Sequence, residues 1–385
     1  MIRHIGNYPR NDFISHGKGL PMPTKGLSRL AIAFVLALCL AACSNNTATH
    51  PAYVTLPTIN QVLAYRVNNK TGELKKTFGG TFNTGMSPLS VAVHPSRRFV
   101  YVANSGENDI SVYTVDSSSG ALREVLPRTT TALNPTNLAV DPSGNFLYVV
   151  NRGVNGVSSF SIDSSKGTLS PIAGTPVAAG FGPANIAVTP SGKFVYVPNA
   201  NSNSVSAYSV VNGGLQPIVG SPFLVGNGPQ AVAVDPAEHF LYITNNADSS
   251  ISVLSIDPTT GALANIVGSP FPVMQINNSG TATGPVSIAI HPSGTLLYIA
   301  NQISGNISYY SVASDGTPTE MTTSPYGSGH GTSYVVSDPT GNFLFVVNQT
   351  NNTITVYDIN TTDGTLTLET LVSTGRGATQ MVVTP

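Results

Sequence analysis

One dipeptide pattern, recurring seven times, constrains this chain more than any other feature. His94-Pro95, Asp141-Pro142, Thr189-Pro190, Asp235-Pro236, His291-Pro292, Asp338-Pro339 and Thr384-Pro385 each end a short apolar run, at spacings of 47, 48, 46, 56, 47 and 46 residues. After the first six, an apolar segment carries an aromatic residue: Tyr101, Tyr148, Tyr196, Tyr242, Tyr298 and Phe345. Three residues later comes Asn104, Asn151, Asn199, Asn245, Asn301 or Asn348, and twelve residues after the aromatic another large apolar residue: Tyr113, Phe160, Tyr208, Leu254, Tyr310 or Tyr357. Self-similarity at such a period marks a repeat architecture, in which each unit buries its faces against its neighbours.

The strands of one unit can be read directly. Leu138-Ala139-Val140 is a continuous apolar segment of the kind buried on both faces. Asp141-Pro142-Ser143-Gly144 places Asp, Pro and Gly where a type I turn favours them. Phe146-Leu147-Tyr148-Val149-Val150 is the second strand, a polar loop opens at Asn151, and Ser158-Ser159-Phe160-Ser161-Ile162 alternates as the third. A turn around Gly167 leads to a weaker fourth strand near Leu169. Four antiparallel strands per repeat describe a propeller blade.

The chain ends set the count. The seventh unit stops at Gln380-Met381-Val382-Val383-Thr384-Pro385, after its first strand. Tyr53, Tyr65, Gly72 and Leu74 repeat the mutual spacing of Tyr101, Tyr113, Gly120 and Leu122, so the two termini should complete one blade and close the ring. The expected fold is all-β, a seven-bladed β-propeller with four-stranded antiparallel blades over residues 52–385. Composition agrees: 41% of the 385 residues are apolar, only 9% are charged, and 37 Gly with 28 Pro supply the turns. This excludes a charge-rich disordered chain and argues against a helical bundle.

Tyr101-Val102-Ala103-Asn104, Tyr148-Val149-Val150-Asn151 and Tyr242-Ile243-Thr244-Asn245 resemble the Tyr-Val-x-Asn repeats of the lactonase-type seven-bladed β-propellers. That family includes 6-phosphogluconolactonases, carboxymuconate lactonizing enzymes and many members without known activity. The resemblance implies a lactone hydrolase or cycloisomerase acting on a small sugar-acid lactone as one reading. Enzymes of the family typically carry Arg-His after the Gly-Pro that opens an innermost strand, and often Glu after a repeat Asn. This sequence has Ala184-Asn185, Gln230-Ala231 and Val286-Ser287 after its Gly-Pro pairs, and Gln302 and Gln349 where a Glu would stand. The other reading is an envelope-anchored module that binds a ligand or a protein.

Blade topology indicates where a site would lie. The loop leading into each first strand and the loop between strands two and three share one face, so Met86, Leu133, Phe181, Asn227, Thr283, His330 and Arg376 should ring one mouth of the central channel. His330 and Arg376 are neighbours in that ring and are the candidate catalytic pair, as base and as oxyanion or carboxylate partner for a lactone. Asn227 and Thr283, with Arg152, Asn246, Gln302 and Gln349 just outside them, are the candidate ligand contacts; Ser105 and Ala200 fill the same outer positions in two other blades. The 56-residue spacing adds about nine residues, placed within Pro272–Thr283 at this mouth. His94 and His291 stand where Asp141, Asp235 and Asp338 hold a turn, and a turn role is assigned to them rather than metal binding. The repeat Asn residues are expected to cap a turn or to adopt a left-handed conformation. No phosphate loop, zinc spacing, nucleophile elbow or EF-hand loop occurs, so neither cofactor nor metal is expected.

Charge and the N-terminus suggest location and partners. Residues 1–42 hold five basic residues and one acid; from Cys43 onward there are 12 basic and 17 acidic residues, a net of −5. No Lys or Arg occurs between Lys193 and Arg376, which argues against a nucleic-acid partner. Lys25 and Arg29 precede a short apolar run from Leu30 to Ala42, the pattern of a secretory signal. Leu40-Ala41-Ala42-Cys43 resembles a bacterial lipobox, which implies cleavage before Cys43, its lipidation, and a short linker over 43–51. Each buried CH₂ of a lipid chain contributes roughly 0.8 kcal/mol to membrane attachment. Ser44 favours outer-membrane sorting by the same resemblance, with the body facing the periplasm. Either Met1 or Met22 could start translation. A monomer is expected, with no disulfide beyond Cys39 and Cys43, the two cysteines.

Overall fold

The structure is a computed structural model, and it describes residues 49–273 and 283–384. The lipobox cysteine Cys43, the apolar run before it and most of the 272–283 insertion lie outside the described residues. Seven antiparallel sheets follow one another: blade 1 (88–130), blade 2 (135–178), blade 3 (183–224), blade 4 (229–272), blade 5 (285–327), blade 6 (332–373), and a seventh built from both ends of the described chain. In the seventh, Met381–Val383 is the inner strand, followed outward by Thr49–Leu56, Gln61–Asn68 and Leu74–Asn83. Val54 pairs with Met381 and Ala52 with Tyr65, so the ring closes as the spacing of Tyr53 and Tyr65 requires. The first strand begins at Thr49, inside the stretch expected to be a linker.

Burial explains the sequence pattern. Each second strand is covered on both sides, as in Phe99–Asn104, whose six residues are all buried, which is why it reads as an unbroken apolar run. The core is accordingly divided into seven apolar clusters, one between each pair of neighbouring blades. The twelve-residue spacing of aromatics fixes the register of the middle hairpin, with Tyr101 opposite Val112 and Val100 opposite Tyr113.

Hydrogen bonds tie each blade to the next on the face carrying the turns between strands one and two and between strands three and four. The hydroxyls of Tyr53, Tyr101, Tyr196, Tyr242 and Tyr298 donate to the carbonyls of Gly120, Gly167, Gly261, Gly316 and Gly364 in the following blade. Tyr148 has no such partner, because the matching turn of blade 3 is shortened to Asn212-Gly213. Phe345 has no hydroxyl to give. His94 and His291 do hold their turns: each Nδ1 accepts the N–H of Ser96 or Ser293, and each Nε2 then donates to Gly144 or Gly341 of the next blade, at 2.8 and 2.9 Å.

The repeat Asn residues behave differently from the expectation of a left-handed turn residue. Asn104, Asn151, Asn199, Asn245, Asn301 and Asn348 end their second strands and are fully buried. Each Nδ2 donates across the hairpin to a third-strand hydroxyl: Ser111, Ser158, Ser206, Ser252, Ser308 or Thr355, at 2.8–3.0 Å. An unpaired buried amide is costly, so Asn here fixes the hairpin rather than a turn.

The outer strand of blades 2 to 5 is split in two by a turn ending in proline, at Pro176, Pro222, Pro270 and Pro325. In three of them a hydroxyl, Ser221, Ser269 or Ser324, accepts the third-strand N–H of Ala207, Val253 or Tyr309 that the ladder leaves free. An interrupted edge offers no long template for pairing with another chain.

Candidate functional site

The mouth is built by a backbone device at the start of each first strand. Ser87, Asn134, Gly182, Gly228, Gly284, Gly331 and Gly377 all have positive φ, and each follows a member of the expected ring. The left-handed residue turns the chain so that the preceding residue faces its own blade's loop between strands two and three. There the carbonyls of Met86, Leu133, Phe181, Asn227 and Thr283 accept N–H bonds from Gly106, Gly153, Asn201, Ala247 and Ile303. The carbonyl of Arg376 accepts the Thr58 hydroxyl of the same loop in the seam blade. His330 lies beside Gly305 in the corresponding loop of the preceding blade.

A second series of asparagines, which the repeat reading did not single out, clasps these turns. Asn60, Asn108, Asn155, Asn203 and Asn352 are themselves left-handed, and each side-chain oxygen accepts the N–H of the next blade's turn residue: Ser87, Asn134, Gly182, Gly228 and Gly377, at 2.6–3.0 Å. Asn tolerates this conformation better than other residues with side chains. The equivalent positions before blades 5 and 6 are Ser249 and Gly305, which make no such bond to Gly284 or Gly331. Thr283 and His330 therefore stand on the two unclasped turns. The signal was present in the sequence as an Asn four residues after Asn104, Asn151, Asn199 and Asn348.

The ring divides into two arcs. Met86, Leu133 and Phe181 lead into blades 1 to 3 and expose large apolar side chains, Phe181 at 69%. The other arc is polar. Asn227 is spent locally: its N–H and Nδ2 donate to Asp248 and its Oδ1 accepts from Asn203. His330 and Arg376 are both exposed, and no hydrogen bond or ion pair joins them or orients either side chain among the described residues. Arg152 and Gln349 are half-buried and Gln302 is exposed; the backbone N–H of each docks on the carbonyl of Asn134, Gly331 or Gly284. The Asn246 amide reaches the Pro285 carbonyl at 3.5 Å.

Inside the mouth the first strands carry no Asp, Glu, His, Lys or Arg. The residues three positions after each left-handed turn residue are Ser90, Asn137, Asn185, Ala231, Ser287, Tyr334 and Gln380. Several of them stitch inner strands together: the Ser90 and Ser287 hydroxyls accept the N–H of Leu138 and Val335, and the Gln380 oxygen accepts that of Val91 at 2.7 Å. The Gln380 amide also donates to the Tyr334 hydroxyl, and burial pushes the Tyr334 phenol above its ordinary range. Among the described residues no three His, Cys, Asp or Glu side chains converge as a metal site. What this arrangement offers chemically is a channel lined by uncharged strands, with an apolar rim on one side of its mouth and polar groups, including the His330 imidazole and the Arg376 guanidinium, on the other.

Comparison with known proteins places this geometry. The family model described as lactonase, 7-bladed β-propeller, matches residues 44–181, 174–275 and 270–382. Solved structures with the same fold include a Bacteroides fragilis protein proposed to be a 6-phosphogluconolactonase, at 18% identity and TM-score 0.76, covering 89% of this chain and 99% of that one. A Lactobacillus plantarum protein matches at 20% identity and TM-score 0.75, covering 88% and 100%. The periplasmic gluconolactonase of Pseudomonas aeruginosa matches at 18% identity and TM-score 0.74, covering 88% and 99%. None of the curated proteins compared matches the sequence.

Proposed function

The chain belongs to the lactonase family of seven-bladed β-propellers, and from that premise we propose that it is a non-hydrolytic binding module whose ligand occupies the mouth ringed by Met86, Leu133, Phe181, Asn227, Thr283, His330 and Arg376. One observation carries this reading: the seven strands lining the channel bear no charged residue, and Ser90, Ser287 and Gln380 at their mouth ends use their oxygens to join neighbouring blades. Lactone hydrolysis needs an oriented base and a stabilised oxyanion. A neutral channel with an apolar arc instead suits an uncharged ligand that has one apolar face and hydrogen-bonding edges, as a neutral sugar has. Phe181 supplies the stacking surface, and Arg152, Asn246, Gln302 and Gln349 the surrounding polar contacts.

We place the protein in the bacterial envelope, held through a lipid on Cys43 and facing the periplasm. The support is the Leu40-Ala41-Ala42-Cys43 sequence and the short stretch before the first strand at Thr49; one protein of this fold is itself periplasmic. A second reading, hydrolysis of a small sugar-acid lactone, is favoured by the placement of His330 and Arg376 before two consecutive blades.

Calorimetric titration with neutral oligosaccharides and with gluconolactone separates the two. The expected result is saturable binding without turnover, weakened about tenfold by Phe181→Ala, the size of loss a central aromatic contact gives. Lactone turnover by the wild type that disappears in a His330→Ala/Arg376→Ala variant would overturn the binding reading in favour of the enzyme.

A further inference from the structure

On the opposite face, at the seam where the chain's two ends meet, a cleft of about 260 Å³ lies between the seventh blade and blade 1. Arg66, Arg97 and Arg98 line it, with Ser96, Ser117 and Asp116. Only seven arginines occur from Cys43 onward, so three in one cleft is a concentration this charge-poor chain shows nowhere else in its sequence. The corresponding cleft between blades 4 and 5, about 450 Å³, is lined by Asp235, His239, Ser293 and Ser314 and has no arginine or lysine. The arginines are therefore not part of the repeat.

Arg97 supplies the second, independent observation. It occupies the turn position held by Gly144, Gly192, Gly294 and Gly341 in four other blades, where φ is 72–75°. Arg97 adopts φ 58° there, the left-handed conformation that disfavours a side chain. Glu238 is the other exception, at φ 60°, and its carboxylate binds both the N–H and the hydroxyl of Ser191 in the neighbouring blade. Arg97 has no comparable side-chain partner among the described residues. A strained residue without an internal reason points outward, to a ligand.

The rest of the cleft fits an anion. The Arg66 guanidinium donates to the Ser118 carbonyl, which holds it at the cleft while leaving part of its five-donor fork free. The Arg98 guanidinium instead reaches the carbonyls of Ser164 and Ser165 in blade 2, at 3.3 and 3.2 Å, so Arg98 borders the cleft while its fork is engaged on the other side of blade 1. The Asp116 carboxylate is turned to its own loop, accepting from Ser118 and Ser119; those bonds lower its pKa to about 2. We propose that this seam cleft binds a phosphate-type oxyanion, clasped by Arg97 with Arg66, either as a free phosphate or as a phospholipid headgroup. Guanidinium groups suit that task because their planar forks match phosphate oxygens.

The test uses the full chain, wild type against Arg97→Gly and Arg66→Gln, with two probes. Inorganic phosphate is titrated by calorimetry and thermal shift, and vesicles of phosphatidylglycerol are compared with vesicles of phosphatidylcholine by flotation. Glycine fits the turn without strain, so Arg97→Gly should melt no lower than wild type while binding phosphate at least tenfold more weakly. Arg66→Gln should weaken binding as well. Saturable phosphate binding without headgroup preference identifies a free anion. Preference for phosphatidylglycerol that phosphate competes away, and that Arg97→Gly abolishes, identifies a lipid headgroup. Absence of saturable binding in both arms, equal binding by Arg97→Gly and wild type, or a lower melting temperature for Arg97→Gly overturns the proposal.

Discussion

The seven blade junctions are not held alike. Three of them, seventh blade to first, first to second and third to fourth, have both an Asn clasp on the mouth face and a Tyr–Gly bond on the opposite face. The other four have one each. Blades 2–3 and 6–7 rely on Asn155 and Asn352, while blades 4–5 and 5–6 rely on Tyr242 and Tyr298. No junction lacks both. The ring thus tolerates loss of either tie, but the loss has different consequences by face. Where the Tyr bond is missing, the mouth remains clasped. Where the clasp is missing, the turns bearing Thr283 and His330 lack the Asn bond, and the mouth side of these junctions keeps the Asn246 contact with Pro285 and the inner-strand Ser287–Val335 bond. Within the polar arc the turns after Asn227 and Arg376 are clasped and those bearing Thr283 and His330 are not, so His330 and Arg376 stand on unequally tied backbone, which suits a binding rim better than a catalytic pair that needs fixed geometry.

Replacing a strand-end Asn, present in blades 1 to 6, should have the largest effect. Asn199→Ala, in a blade with one doubly tied junction, and Asn301→Ala, in a blade with none, each strand two buried acceptors. Each should cost about 1–3 kcal/mol in denaturant unfolding. Unequal costs would mean the two regions already differ inside the blade, not at the junction.

Removing a tyrosine hydroxyl should have a smaller effect, and one that depends on position. Tyr298→Phe breaks the bond to Gly364 and should destabilise by about 1 kcal/mol. Tyr148→Phe deletes a buried hydroxyl that has no partner and should be neutral or stabilising. A matching loss for Tyr148→Phe would show that this hydroxyl is satisfied in solution.

Installing the missing clasp should have the smallest effect. Ser249 is already left-handed, at φ 49°, so Ser249→Asn should add a bond to the Gly284 N–H and stabilise by roughly 0.5–1 kcal/mol. In the wild type, hydrogen exchange at the Gly284 and Gly331 amides should outpace that at Gly182 and Gly228. Ser249→Asn should slow Gly284 alone. Equal protection at all four amides would remove the distinction between clasped and unclasped turns.

Much of this was legible in the chain. The His94-to-Thr384 series gave the blade number, the matched spacings around Tyr53 and Tyr101 gave the closure, and counting back from each turn proline gave the residues that precede the seven left-handed turn positions. The buried role of Asn104 and its equivalents was missed because Asn is common in turns, and a composition argument cannot tell a strand end from the loop beyond it. The clasping asparagines were visible four residues further on, but their partners lie 25 to 27 residues away in the next blade, outside any single unit.

The sequence by itself determined the repeat, the strand pattern within each blade and the pairing of the two ends, because period and turn chemistry are local and each unit states them again. Only the tertiary structure decided which junctions carry which ties, that the inner-strand polar groups bond to neighbouring blades, and that Arg66, Arg97 and Arg98 share one cleft. These depend on which side chains meet when blades from distant parts of the chain are stacked around the ring, and no repeat can encode a contact that it does not itself contain.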